Sequence, residues 1–313
     1  LIMNLKKPKF WDYKKPNIYA FLLLPITLVV GLVNKIIIKI SKSKSKKLNI
    51  KTICIGNFYI GGTGKTSLSI KINNLLIKKK IRSCFVKKNY HDQIDEQRLL
   101  SKNGKLFLSR KRLEALNKAN LEDYEIAIFD DGLQDKSINY DLKIVCFNTI
   151  NWIGNGMTIP SGPLRESINN LKNYDHVFLN GNLENIDEIK KQILKINPII
   201  NIYLGRYEPV NLYEFDKNNK YVIFSGIGNH QTFASMLKNY GLNIIYSFEF
   251  PDHYNYSKKD IENILNTAEK SDCKIITTEK DFLRMDNINH SRIKCLKSEL
   301  KIYDEEKILS FMI

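Results

Sequence analysis

Nineteen uncharged residues, most of them apolar, run between Lys15 and Lys35 before any alternation of hydrophobic and polar positions begins. As a helix they would measure about 28 Å at ~1.5 Å per residue, against a bilayer hydrocarbon core of ~30 Å, so the stretch is barely long enough to span. Pro25 and Gly31 interrupt it, and lysines crowd both flanks, with Lys6, Lys7, Lys9, Lys14 and Lys15 before and Lys35, Lys39, Lys42, Lys44, Lys46 and Lys47 after. Basic flanks on both sides favour keeping both ends on the cytoplasmic face. No small-x-small cleavage pattern follows, which argues against a signal peptide. The expected element is a membrane-associating helix lying in the interface, with a buried core helix as the plainer alternative.

After the lysine-serine run Ser41 to Lys47, which reads as an exposed linker, short β-branched runs alternate with amphipathic segments. Strands are predicted at Ile50 to Ile55, Ile81 to Val86, Glu125 to Phe129, Leu142 to Phe147 and His176 to Leu179, and helices beginning near Gly64, Leu113 and Ile186. Strand and helix in repetition predict a mostly parallel sheet covered on both faces. The texture changes near Ile200, where an extended stretch interrupted by Pro209 reads as a short β linker. A second set follows, with strands at Tyr221 to Phe224, Asn243 to Phe248 and Lys274 to Thr277 and helices at Thr232 to Asn239 and Lys258 to Lys270. The fold class expected is therefore α/β: a P-loop-type, mostly parallel sheet domain at 48–205 and a second, smaller α/β domain at 206–313, joined by that linker. Residues 1–47 form the N-terminal membrane-associating helix and its basic linker.

Composition changes this picture little. With 43% hydrophobic and 26% charged residues, the 313-residue chain has ordinary globular usage, which excludes wholesale disorder and a polytopic membrane protein. Its five cysteines are odd in number and lack CxxC or CxxH spacing, so neither a disulfide framework nor a zinc site is expected. A reducing compartment fits. The net charge of +16 invites a nucleic-acid reading, but only eight of the 49 basic residues are arginine, the residue favoured for bidentate phosphate and base contacts. No nucleic-acid partner is expected; an anionic membrane surface or an anionic substrate draws on the same charge.

The chemistry concentrates in a few segments. Gly61, Gly62, Thr63, Gly64, Lys65 and Thr66 stand between an apolar run and a helix, as a phosphate-binding loop must. Glycines let backbone N–H groups close around phosphates, Lys65 reaches the terminal phosphates of ATP, and Thr66 can hold Mg²⁺. The strict pattern wants glycine where this chain has Tyr59. Asp130 and Asp131 end an apolar strand, where a Walker-B carboxylate would meet the metal; Asp-Asp-Gly is also good turn chemistry, and the upstream loop favours the metal role for at least one of the pair. Gly154 to Ser167 is an ordered loop carrying Arg165 and Glu166, either a charge stabiliser for a transferring phosphoryl group or a surface Arg-Glu pair. Asp95 and Glu96, and Asp252 and His253, are polar residues that spacing alone does not promote.

Taken together these segments resemble the tetraacyldisaccharide 4'-kinase family, the lipid A 4'-kinases of Gram-negative envelope synthesis. The resemblance rests on Lys7 to Trp11 (KPKFW), Leu23 to Pro25 (LLP), GNFYIGGTGKT, Ile94 to Glu96 (IDE), DDGLQ, GNG with GPLRE, Gly226 to Asn229 (GIGN), PDH and Thr278 to Asp281 (TEKD), in that order along nearly the whole chain. It implies an enzyme on the cytoplasmic side of the bacterial inner membrane that uses Mg²⁺-ATP to phosphorylate the 4'-hydroxyl of a lipid, tetraacyldisaccharide 1-phosphate. It further implies Asp95 as the base that takes the hydroxyl proton, with His253 paired to it, and Arg165 and Glu166 near the reacting phosphates. The chain departs from the family pattern at three places: Lys87-Lys88-Asn89-Tyr90-His91 stands where Ser-Arg-Gly-Tyr-Gly is usual, Ile94 replaces a glycine, and Asp135 replaces a histidine. Two other readings use the same loop: a membrane-associated P-loop ATPase switch, and a kinase-like scaffold without transfer activity.

Overall fold

The computed structural model describes residues 7–41, 49–90, 93–181, 183, 186–285 and 291–313. Among them the strands are β1 (Lys51–Gly56), β2 (Ser83–Lys88), β3 (Leu106–Ser109), β4 (Ile126–Asp130), β5 (Leu142–Asn148) and β6 (His176–Asn180), then β7 (Asn201–Pro209), β8 (Lys220–Ser225), β9 (Asn243–Glu249), β10 (Cys273–Thr278), β11 (Ile293–Leu296) and β12 (Ser298–Ile302). The helices are α1 (Ile18–Leu22), α2 (Leu24–Ser41), α3 (Lys65–Lys78), α4 (Ile94–Asn103) and α5 (Arg112–Leu121), then α6 (Ile186–Ile196), α7 (His230–Asn239), α8 (Lys258–Lys270), α9 (Glu279–Arg284) and α10 (Glu305–Ser310).

The chain forms two compact units. One comprises Leu1–Asn89, Leu100–Gly205 and Ile302–Ile313, the other Tyr90–Leu99 and Arg206–Lys301. The expected domains at 1–47, 48–205 and 206–313 need three corrections. The N-terminal segment is part of the first unit, residues 90–99 leave the first unit for the second, and the last twelve residues return to the first, where α10 lies against α3. Alternation of strand and helix carries no signal for such exchanges, because it describes neighbours in sequence only.

In the first unit's sheet the order is β12-β7-β6-β5-β1-β4-β2-β3, and every pairing from β7 to β3 is parallel. Its central strands β1, β4 and β6 read as continuous apolar runs because both faces are covered, as parallel sheets require. The stretch read as a linker at Ile200 is in fact the nine-residue strand β7, which the 3.6-period and alternation templates both miss because its polar residues are spaced irregularly. The four-residue strand β3 was also absent from the pattern.

Residues 7–41 dock on this unit through a few polar contacts. The Asn17 side chain caps α1 by accepting from Ala20 N–H, Thr27 Oγ1 lies 2.7 Å from Ser161 Oγ, and the Trp11 indole donates to the Pro160 carbonyl. Ala20 and Thr27 are buried, whereas Ile18, Phe21, Leu22, Leu28, Val29 and Leu32 are exposed. No helix among the described residues is long and apolar enough to cross a membrane. Residues 42–47 of the expected linker lie outside the described residues.

The second unit is a four-stranded parallel sheet, order β11-β10-β8-β9, built from β8-α7-β9-α8-β10-α9-β11. Its chain runs outward from β8 to β9 and then returns to the other side at β10. The C-terminal ends of β8 and β10 therefore form a topological switch point, the place where open α/β sheets gather their functional groups.

Candidate active site

The phosphate loop follows β1, the strand flanked by β4 on one side and β5 on the other. Gly61 and Gly64 adopt φ of 90° and 81°, which a side chain would strain, and Gly64 caps α3 with no side-chain bond to its first N–H groups. Those donors and the helix dipole are left for an anion. Asn180 at the end of β6 steadies the loop by donating to the Thr63 carbonyl at 2.7 Å, while the buried Thr63 hydroxyl is without a partner among the described residues. Tyr59 needs no glycine freedom: its backbone bridges Leu164 in extended form, and its hydroxyl meets Asp12 and Lys7.

Behind the loop stand two carboxylates in different surroundings. Asp130 is fully buried and accepts from Lys87 Nζ (2.7 Å) and Thr66 Oγ1 (3.2 Å) at Oδ2 and from Ser69 Oγ (3.3 Å) at Oδ1. Asp131 takes a left-handed φ of 58°, which an Asp tolerates, and faces Arg165 at 2.8 Å and Lys65 at 3.9 Å. Burial would raise its carboxyl, but Lys65, Arg165 and Lys87 outweigh that and hold it at about 2. The following Gly132 is required by space: a Cβ there would lie 2.8 Å from Tyr140 Oη. Asp-Asp-Gly is thus both a turn and a charged site.

Arg165 pairs with Asp131 and not with its neighbour Glu166, whose carboxylate accepts from Gln134 and Asn170 at 3.1 Å each. The Gly154 to Ser167 loop explains this aim. Arg165 N–H donates to the Phe58 carbonyl and Ile60 N–H to that of Pro163, so the loop is laced onto the approach to the phosphate loop. Arg112 braces the same turn by donating to the Asp131 carbonyl and to Asp135, which gives the departure at Asp135 a cation partner. Arg112 carried no signal in the sequence.

A magnesium ion fits these donors only as a companion of phosphate. Among the described residues no group of three or more His, Cys, Asp or Glu is placed to hold a metal. Mg²⁺ does not need one, since it takes one or two carboxylates together with phosphate oxygens and water.

A second cluster lies in the other unit, at its switch point. Asp95, on α4, places Oδ1 3.1 Å from His253 Nδ1 and Oδ2 2.6 Å from Arg284 Nη2. Arg284 also donates to Asp281 Oδ1 at 2.9 Å and to the Gly226 carbonyl, and the fully buried Asp281 accepts from Gly226 N–H, Tyr256 Oη and Thr278 Oγ1. His253 has a left-handed φ of 57°, a conformation worth about 1–3 kcal/mol of strain in a non-glycine residue and a pointer to a functional site. Its side chain is 25% exposed against 5% for that of Asp95.

Electrostatics follow from the contacts. Burial would raise the Asp95 carboxyl, but the His253 hydrogen bond and the charges of Arg284, His253 and Lys280 drive it well below its ordinary range. Burial would lower the His253 imidazole, but Asp95, Asp252 and Glu96 raise it above its ordinary 6.5. Because the ionised Asp95 can only accept, Nδ1 carries the imidazole proton, and Nε2, 3.9 Å from Glu96 Oε1 and Asp252 Oδ1, is the ring position left to take another. Arg284 and Asp281 were missed as functional candidates; the TEKD segment held the signal, since Thr278 caps α9 by accepting from Asp281 N–H.

With both clusters in view, similarity to known proteins is informative. The family model for tetraacyldisaccharide-1-P 4'-kinase (LpxK) matches residues 19–105 and 91–313. A tetraacyldisaccharide 4'-kinase of Pelagibacter ubique (strain HTCC1062) is 59% identical over 311 residues, covering 99% of this chain and 98% of that protein. One from Rickettsia canadensis (strain McKiel) is 36% identical over 320 residues, covering 96% and 94%. The crystal structure of Aquifex aeolicus LpxK in complex with ATP superposes with a TM-score of 0.66 at 23% identity, covering 94% of this chain and 98% of that one, a likeness of fold. The chain belongs to the tetraacyldisaccharide 4'-kinase family.

Proposed function

We propose that this protein transfers the γ-phosphate of ATP to the 4'-hydroxyl of a tetraacyl glucosamine disaccharide 1-phosphate, a step of lipid A biosynthesis, while docked on the cytoplasmic face of the inner membrane. The observation that carries this reading is the intact Gly61–Thr66 loop, with Lys65 and Arg165 facing Asp131, in a chain of this family.

The first unit handles phosphate. Backbone N–H groups of the loop and of the first turn of α3 cradle the phosphate oxygens, and the ammonium of Lys65 neutralises charge on the terminal ones. Arg165, held on Asp131, stands ready to follow charge onto the transferring group. Thr66 and Asp131 are the protein groups suited to hold Mg²⁺, which when bound would offset the charge developing on the leaving diphosphate.

The second unit handles the proton. As the acceptor oxygen bonds to the γ-phosphorus and the bond to the β-phosphate oxygen breaks, the hydroxyl proton must leave. With both Asp95 oxygens engaged, we assign its destination to the Asp95–His253 pair acting together, the proton ending on His253. The expectation of Asp95 as the base with His253 paired to it is kept, with the imidazole as the proton's resting place. Arg284 is a positioning residue, fixing the Asp95 carboxylate for the imidazole.

The apolar residues exposed on α1 and α2 supply an interfacial surface, flanked by lysines suited to anionic headgroups. An acyl-chain-bearing acceptor explains why such a surface accompanies a phosphate loop. The test is transfer of labelled γ-phosphate to tetraacyldisaccharide 1-phosphate in detergent micelles, with Lys65→Ala as control. Label on the lipid that vanishes in the control supports the reading; release of free phosphate alone would transfer it to an ATPase switch.

A further inference from the structure

Lys87 is the penultimate residue of β2, and register brings it to Asp130: Val86 pairs with Phe129, one position before Asp130. Its side chain and that of Asp130 are both 0% exposed, with the ammonium 2.7 Å from Oδ2. The same oxygen accepts from Thr66, and the other lies 3.3 Å from Ser69 Oγ, whose single proton is shared with the Lys65 carbonyl at 3.0 Å. Asp131 differs. Its cationic partners are Lys65 at 3.9 Å and Arg165 at 2.8 Å, the two groups that phosphates would draw away.

We propose that Lys87 is a resident cation of the nucleotide site: its ammonium neutralises Asp130 permanently, so that Asp130 braces the phosphate loop through Thr66 and Ser69, and Asp131 is the carboxylate that meets the divalent ion. The inference rests on the kinase reading and deepens it. A buried ammonium has no water to replace Asp130, and a carboxylate that gave up this partner to ligate a divalent ion would leave an uncompensated buried charge. The ion pair therefore persists when nucleotide and metal bind. Its consequence is a phosphate loop whose supporting contacts are complete before any metal arrives, with one protein carboxylate, in place of two, setting divalent affinity.

The test measures binding of Mn²⁺, by electron paramagnetic resonance, to the full chain saturated with a non-hydrolysable ATP analogue. Lys87→Met/Asp130→Asn removes both charges and keeps similar shapes. Its Mn²⁺ affinity is expected within about threefold of the unaltered protein, whereas Asp131→Asn should weaken binding at least about tenfold, as loss of a direct ligand does. Lys87→Met alone should tighten Mn²⁺ binding by about tenfold or more, because the site gains a free carboxylate; should that variant fail to fold, the double variant decides. The proposal is overturned if the double variant loses Mn²⁺ affinity as severely as Asp131→Asn, which would make Asp130 a ligand. Absence of analogue binding by the unaltered protein would instead overturn the kinase reading, and this inference with it.

Discussion

Replacing Arg284 by methionine tests whether the second unit's charged network is the frame that holds the proton-handling pair. Arg284 is 6% exposed and bridges two carboxylates, the fully buried Asp281 at 2.9 Å and Asp95 at 2.6 Å. Methionine fills similar space but leaves Asp281 buried with only neutral donors. Breaking a buried ion pair from one side costs about 3–5 kcal/mol. For a unit of roughly a hundred residues, with a urea slope of about 1–3 kcal/mol per molar, that displaces its unfolding midpoint by at least about 1 M. Urea unfolding followed by hydrogen exchange at β8 and β10 amides reads the second unit specifically. Arg284→Lys should recover only part of the loss, since one ammonium cannot span both carboxylates as a guanidinium fork does. Arg284→Met with Asp281→Asn should be less destabilised than the sum of the single changes, because the orphaned charge is gone. A midpoint shift below about 0.3 M for Arg284→Met, or simple additivity in the double variant, would refute the claim that these groups form one frame.

Further outcomes follow from the same contacts. His253 must be neutral to accept a proton and its imidazole is raised above 6.5, so the transfer rate should climb with pH through a midpoint above that value. Arg284, Lys280, Asp252, Glu96 and Asp95 all face this histidine, and Arg284→Met, by removing a cation, should move the midpoint higher; an unmoved midpoint would remove His253 as the group reported. For stability the signs are opposite: the Asp95 contribution, from a depressed carboxyl, is present above its ordinary 3.8 and lost as pH falls through the folded value, whereas that of His253 is complete below 6.5 and lost as pH rises through its raised value. The charge pair therefore stabilises most between those limits, which pH-dependent melting can check. On the membrane face, Leu28→Glu/Leu32→Glu should lower partitioning onto anionic vesicles at least about a hundredfold, as two leucines worth roughly 1.5–3 kcal/mol each no longer bury. Unchanged sedimentation with vesicles would place the binding surface elsewhere.

What sequence patterning could reach was local. The phosphate loop, Asp130 and Asp131 are legible because each stands at a strand end, with its chemistry carried by immediate neighbours. Lys87 was not, since a lysine next to the end of an apolar strand looks like a solvated end; its partner lies 43 residues away and only the β2–β4 register joins them. The same holds for Arg284, whose bond to Asp95 spans 189 positions. Spacing alone did not promote Asp95 and Glu96, yet their segment forms the start of α4 and clusters with the second unit, an exchange that composition cannot signal. Conversely, the loop around Arg165 left two readings open, and the structure pairs the guanidinium not with Glu166 but with Asp131, a partner 34 positions away that spacing could not name.

The central claim is that phosphate is handled by one unit and the proton by the other. The most direct test is to measure, on Asp95→Asn in parallel, the affinity for ATP and the single-turnover rate of phosphoryl transfer to the lipid acceptor. The account predicts ATP affinity within about twofold of the unaltered protein and a transfer rate lowered by about a hundredfold or more, the share general-base groups supply. A normal transfer rate, or a loss of ATP affinity as large as the loss of rate, would contradict it.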